Sequence, residues 1–164
     1  MTKISKHIGY NEATKSATAV RHGVDNIPNA FELENMKMVA NECFEPLREH
    51  HGAPIGITSF FRSSLVNSLI GGSGSSQHCS GGSSNKEESA IDIDADIYNN
   101  GISNCYIFNW LRKNVEFDQL IWEFGNDSEP SWVHVSYRKG ANRSQVLKAI
   151  KVNGKTKYLK YESN

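Results

Sequence analysis

The sequence predicts an α+β fold: one small domain with a central antiparallel sheet and flanking helices. Three observations predict it. A helical hydrophobic period comes early, alternating strand patterns come mostly late, and an Asn153-Gly154 pair separates two alternating runs near the end. Residues 1–28 are polar and read as irregular, closing on Asn26-Ile27-Pro28-Asn29. A helix follows from about Ala30 to His50, where Leu33, Met36, Ala40, Cys43 and Leu47 recur at steps of three and four and so line one face. Asn29 with Glu32 three places on has the spacing of a capping box. Pro46 lies inside the pattern and predicts a kink or a fresh turn there.

Ile55 to Phe60 is a short apolar run suited to a strand, and Ser63 to Ile70 is a short helix opened by serine and closed by Gly71-Gly72. The Gly/Ser-rich run Gly71 to Ser84 is a loop by composition. Ala90 to Ala95 alternates, with Ile91 and Ile93 on one face and Ala90, Asp92 and Asp94 on the other. A helix over about Ser103 to Asn114 precedes two strands, Gln119 to Phe124 and Trp132 to Arg138. The last segment, 146–161, is a hairpin about Asn153-Gly154, because that dipeptide suits the two left-handed positions of a type I′ turn.

A chain of 164 residues with 38% hydrophobic content carries one domain with a real core, here taken as 1–164. Eighteen basic and eighteen acidic side chains cancel, which speaks against a nucleic-acid partner gripped through phosphates. No run approaches the length of a membrane span, and the N-terminal residues contain no apolar signal segment, so synthesis in the cytoplasm without an export signal is expected. A monomer is expected. Cys43, Cys79 and Cys105 are odd in number and unpatterned, and read as free thiols. His7, His22, His50 and His51 have no matching partners and read as surface groups.

Three segments carry the chemistry: Ser76-Gln77-His78, Ala90-Ile91-Asp92-Ile93-Asp94 and Trp132-Val133-His134-Val135. Two histidines and one carboxylate are a common catalytic zinc set, leaving the ion cationic with a fourth position for water. Spacing alone does not separate this from a solvated loop histidine and ordinary polar strand positions, because no H-E-x-x-H-like interval is present.

Those segments occur in order with Asp25-Asn26-Ile27-Pro28, Glu45-Pro46-Leu47-Arg48, Ser59-Phe60-Phe61-Arg62-Ser63 and Gly71-Gly72-Ser73. Together they resemble the zinc D-Ala-D-Ala carboxypeptidase family, in particular its phage and prophage murein-peptidase (endolysin-like) branch, over residues about 10–147. The resemblance implies zinc on His78, Asp92 and His134, with Arg62 binding a substrate carboxylate; Ser76 and Gln77 beside His78 are read as shaping the loop and as candidates for touching substrate. It also implies hydrolysis of peptidoglycan stem peptides, at a terminal D-Ala or an internal L-Ala-D-Glu bond, by a holin-released or particle-associated phage enzyme acting on the cell wall. A non-catalytic phage structural or wall-binding module retaining the fold is the alternative. Where the family has six residues between the first histidine and the aspartate, residues 79–91 number thirteen, and Gly82 to Ser89 read as a polar surface insertion. Asp94 is the second choice of carboxylate ligand. Many family members carry an acid where Ser131 stands, so the general base is assigned to Glu123, with Glu129 as competitor. Leu120, Trp122 and Phe124 are expected to fill the core beneath it. Trp132 is expected on the cleft side, because it shares a strand face with His134.

Overall fold

The computed structural model describes residues 3–163. Helix α1 is Tyr10–Thr14 and α2 is Ala17–His22, so the N-terminal segment is ordered where irregular chain was expected. The local signals are present but short: the Ser16 hydroxyl accepts from the Ala19 N–H, and Gly23 closes α2 at φ 63°. Ile4, Ile8 and Ala13 anchor the segment in the core.

The helix expected over 30–50 is present as three pieces. α3 (Ala30–Val39) opens with the capping box between Asn29 and Glu32. Ala40–Phe44 is a π-helical turn, and α4 is Glu45–His51. Pro46 has no N–H to return to the preceding turn; the wider register, with the Glu45 N–H bonded to the Ala40 carbonyl, absorbs the missing bond. Met36, Ala40, Cys43 and Leu47 are fully buried along the predicted face.

Strand β1 (Gly56–Ser59) leads to α5 (Ser64–Leu69), capped by Ser63. β2 (Glu88–Asp94), α6 (Asn104–Asn114, capped by Ser103), β3 (Gln119–Glu123), β4 (Trp132–Arg138), β5 (Gln145–Val152) and β6 (Lys155–Lys160) complete the chain. The six strands form one sheet in the order β1-β2-β4-β3-β5-β6. Every pairing is antiparallel except β3 with β5, so the sheet is the mostly antiparallel one that the α+β reading expects, with one parallel pair added. The reason is topological: β5 runs opposite to β4 as a hairpin partner would, but β3 already occupies the place beside β4. Asp118 fixes this crossing, since its carbonyl accepts from the Gln145 N–H and its carboxylate from the Arg143 backbone and guanidinium. The β5–β6 turn has Asn153 at φ 52° and Gly154 at φ 76°, the two left-handed residues of a type I′ turn.

One face of the sheet, with Ile91, Ile93, Leu120, Trp122, Val133 and Val135, packs with Phe108 and Leu111 of α6 and Met36 of α3 in the core. The other face carries Asp92, His134 and Glu123 and floors an open cleft. Among the described residues the three cysteines are free, and no helix is long and apolar enough to cross a membrane.

Candidate metal centre and cleft

His78 sits in a single 3-10 turn, Gln77–Cys79, opened by Ser76, whose hydroxyl accepts from the His78 N–H at 3.3 Å. The turn is tied to the exit of β1. The Arg62 N–H donates to the His78 carbonyl at 3.0 Å, and His78 Nδ1 donates to the Phe60 carbonyl at 2.8 Å. A carbonyl can only accept, so that contact places a proton on Nδ1 and turns Nε2 toward Asp92 and His134. Asp92 and His134 are direct cross-strand partners on β2 and β4. Asp92 Oδ1 lies 3.2 Å from His78 Nε2 and 3.0 Å from His134 Nδ1, and the two rings are 5.1 Å apart and inclined at 72°. One donor atom from each residue falls within 4.8 Å of the other two. Burial opposes ionisation of Asp92, but the neighbouring imidazoles outweigh it and hold the carboxyl well below the usual carboxylate range. Two imidazoles and one carboxylate converging through lone-pair atoms, with one imidazole oriented from behind by a carbonyl, are a donor set fitted to a divalent transition metal. Asp94 stands on the same strand face but outside this cluster. Its Oδ1 accepts from the Asp96 N–H and from Asn104, both at 3.0 Å, and thereby caps the turn Ala95–Ile97.

Glu123 ends β3 on the cleft face, opposite Trp132 and diagonal to His134. It is only 7% exposed. Burial pushes its carboxyl up to about 7, opposed by His134 and assisted by Asp92. Glu129 is engaged elsewhere: its Oε1 accepts from the Cys105 N–H at 3.0 Å at the start of α6. Ser131 gives its N–H to the Glu123 carbonyl at 2.9 Å, so the chain beside Glu123 is held by backbone. Gly125 permits this tight return, because a Cβ there would meet the Glu129 carbonyl at 2.1 Å. Phe124 is not the core residue its alternation predicts. A φ of 55° ends the strand and turns its ring onto Trp132, 5.4 Å between centroids, where both line the cleft.

The cleft measures about 810 Å³. Arg62 lines it beside His78, with Nη2 donating to the Ser76 hydroxyl at 3.2 Å and a buried Nε without a partner among the described residues. Gln77 also borders the cleft, but its amide nitrogen is committed to two buried carboxylates, Glu88 at 3.0 Å and Asp118 at 2.7 Å. Those carboxylates in turn hold Arg138 and Arg143. Burial opposes ionisation of Asp118, yet its hydrogen bonds to Arg143 keep the carboxyl low.

This network corrects the reading of Gly82 to Ser89 as a surface insertion. Glu88 and Ser89 belong to β2, pair with Arg138 and Tyr137, and are 2% and 0% exposed. The extra residues lengthen a strand as well as a loop, while Ser84 and Lys86 form the cleft rim. Nothing in the local sequence marks the network, because its partners lie 41 to 50 residues apart for Gln77–Asp118 and Glu88–Arg138. The histidines outside the centre also differ from expectation in part. His7 is half-buried, with Nδ1 2.7 Å from Glu45 Oε2, and His50 stacks on Trp110 at 5.1 Å.

A family model described as Peptidase M15 matches residues 6–136. No curated protein matches the chain. The matched segment contains His78, Asp92 and His134, together with Arg62 and Glu123, and ends before the β5–β6 hairpin.

Proposed function

The chain belongs to the Peptidase M15 family and is a metallopeptidase; we propose that it hydrolyses peptide bonds of bacterial peptidoglycan stem peptides, as a monomer, with zinc held by His78, Asp92 and His134. The observation that carries this reading is the convergence of those three donors beside a buried carboxyl poised near 7. A zinc ion there supplies Lewis acidity, lowering the pKa of a water and polarising a carbonyl.

The chain's own residues supply the rest. Glu123, near half-ionised at neutral pH, accepts the proton of the attacking water and returns it to the leaving amine nitrogen. Arg62 offers its guanidinium to a substrate carboxylate, a match of planar donor and planar acceptor that lysine cannot reproduce. Trp132 and Phe124 form an apolar wall beside Glu123, which limits water around the carboxyl. Phe60 keeps His78 in the tautomer that presents Nε2. Gln77 positions the turn through Glu88 and Asp118, and Ser76 does so through His78 and Arg62. The bond cleaved is a terminal D-Ala bond or the L-Ala-D-Glu bond, and the setting is lysis by a phage or prophage enzyme, on the resemblance of the motifs around His78, Asp92 and Ile121-Trp122-Glu123.

The test combines metal analysis with loss of turbidity of a cell-wall suspension, with chelator and after zinc is restored. Zinc-dependent clearing is expected, and mass spectrometry of the soluble products distinguishes released D-Ala from a cleaved L-Ala-D-Glu bond. Bound zinc without chelator-sensitive hydrolysis would replace this reading with a wall-binding module that keeps the fold.

A further inference from the structure

The β5–β6 hairpin lies outside the matched segment, yet Leu147, Lys151, Thr156 and Tyr158 from it line the cleft. Its register explains how. Tyr158 pairs with Ala149, Ala149 with Glu123, and Glu123 with Trp132. Directly paired residues share a sheet face, so the four side chains form one row across four strands. Tyr158 stands two strands from Glu123, roughly 10 Å at the spacing of neighbouring strands. The residue between them, Ala149, is fully buried and has only a methyl group, so no side chain blocks the phenol from leaning toward the carboxyl. Burial raises the Tyr158 hydroxyl, the carboxylates of Glu123 and then Asp92 raise it further, and Arg62 opposes them. Tyr158 nonetheless remains 55% exposed, and among the described residues its hydroxyl has no hydrogen-bond partner.

A phenol in the same row as Glu123, two strands away, lining the cleft and without a partner is a donor available to a ligand. We infer that Tyr158 is a substrate-binding residue, its O–H donating to the peptide that lies between Arg62 and Glu123. This assignment rests on the reading of the cleft as a stem-peptide site. It gives the hairpin a role that the matched segment does not contain.

The experiment titrates the synthetic stem peptide L-Ala-γ-D-Glu-L-Lys-D-Ala-D-Ala into zinc-loaded Glu123→Gln protein, which keeps the cleft and lacks the base. The same titration is run with Tyr158→Phe, Tyr158→Ala or Lys157→Ala added, and steady-state hydrolysis is measured with Glu123 intact. Tyr158→Phe removes one hydroxyl, and a three- to tenfold weaker affinity with a matching rise in KM is expected. Tyr158→Ala should weaken binding at least as much. Lys157, on the opposite face in register with Ile150, should change neither. Unaltered affinity and KM in Tyr158→Phe, with loss only in Tyr158→Ala, would reduce the ring to a shield and overturn the inference. A protein that binds the peptide without cleaving it would refute the peptidase reading alone, since the two affinities still decide the role of Tyr158. Absence of any binding by the Tyr158-containing protein would overturn the inference itself.

Discussion

Replacing Glu123 with glutamine should make the zinc-free protein more stable while removing its activity. The carboxyl is 7% exposed and raised from 4.5 to about 7, chiefly by burial. Its folded pKa therefore lies above its unfolded one, and between those values the native state binds more protons than the unfolded chain. Stability falls as pH rises through that window, and the whole penalty is present above pH 7. A shift of this size corresponds to about 3 kcal/mol. Glutamine has nearly the same shape and no charge to desolvate. Urea unfolding with chelator present should show Glu123→Gln more stable than the parent by about 3 kcal/mol at pH 8, shrinking below about 1 kcal/mol at pH 5. The zinc-loaded variant should retain metal and lose wall hydrolysis. A stability difference that does not change between the two pH values would refute the account, because the carboxyl would then be as well solvated in the folded protein as in the unfolded chain.

Other substitutions test separate parts of the site. His134→Ala leaves two donors, and metal analysis after dialysis should find no retained zinc; retention at parent level would remove His134 from the centre. Asp92→Asn should lose both metal and hydrolysis. Asp94→Asn should keep both and lower the unfolding midpoint slightly, since Asp94 serves the Ala95–Ile97 turn and Asn104; a metal defect confined to Asp94→Asn would exchange the two assignments. Arg143→Ala strands Asp118, which is fully buried and bonded to that guanidinium at 2.7 Å. Loss of about 3 kcal/mol or more of unfolding free energy at pH 7 is expected in denaturant titration, and a loss under about 1 kcal/mol would show that Gln77 and the backbone suffice.

Much of this architecture is legible in the sequence where one physical rule acts alone. Asn29 and Glu32 announce a helix start by themselves, Asn153-Gly154 dictates its turn, and strict alternation puts Asp92 and His134 opposite their apolar neighbours. Competing rules obscure the rest. Ile4, Ile8 and Ala13 are too sparse to reveal that the segment from residue 3 onward is anchored in the core. The parallel pairing of β3 with β5 depends on which strand already occupies the site beside β4, a fact of assembly with no local mark. Phe124 obeys the alternation rule in sequence and leaves it through a positive φ ahead of Gly125. Glu129 looks available as a base until α6 is seen to use it as a cap. Burial of Glu88 and Ser89 is concealed by their polar neighbours, because the arginine that satisfies Glu88 comes fifty residues later. The grouping of residues 78, 92 and 134 is readable through resemblance; their spacing alone favours a solvated histidine and ordinary polar strand positions.

His78 is fixed by the exit of β1, through Phe60 and Arg62, whereas Asp92 is fixed by its register with β4. Neither of these anchors passes through residues 81–87, and the chain on either side of that loop is held separately, Gln77 by Glu88 and Ser80 by Ser89. The loop 81–87 is therefore a tether with no duty to set the separation of the donors, and it is free to lengthen or shorten like a handle on a finished vessel. Seven added residues could enter there without disturbing the chemistry, and variation in that tether becomes a way to remodel the mouth of the enzyme while its reactive centre stays in place.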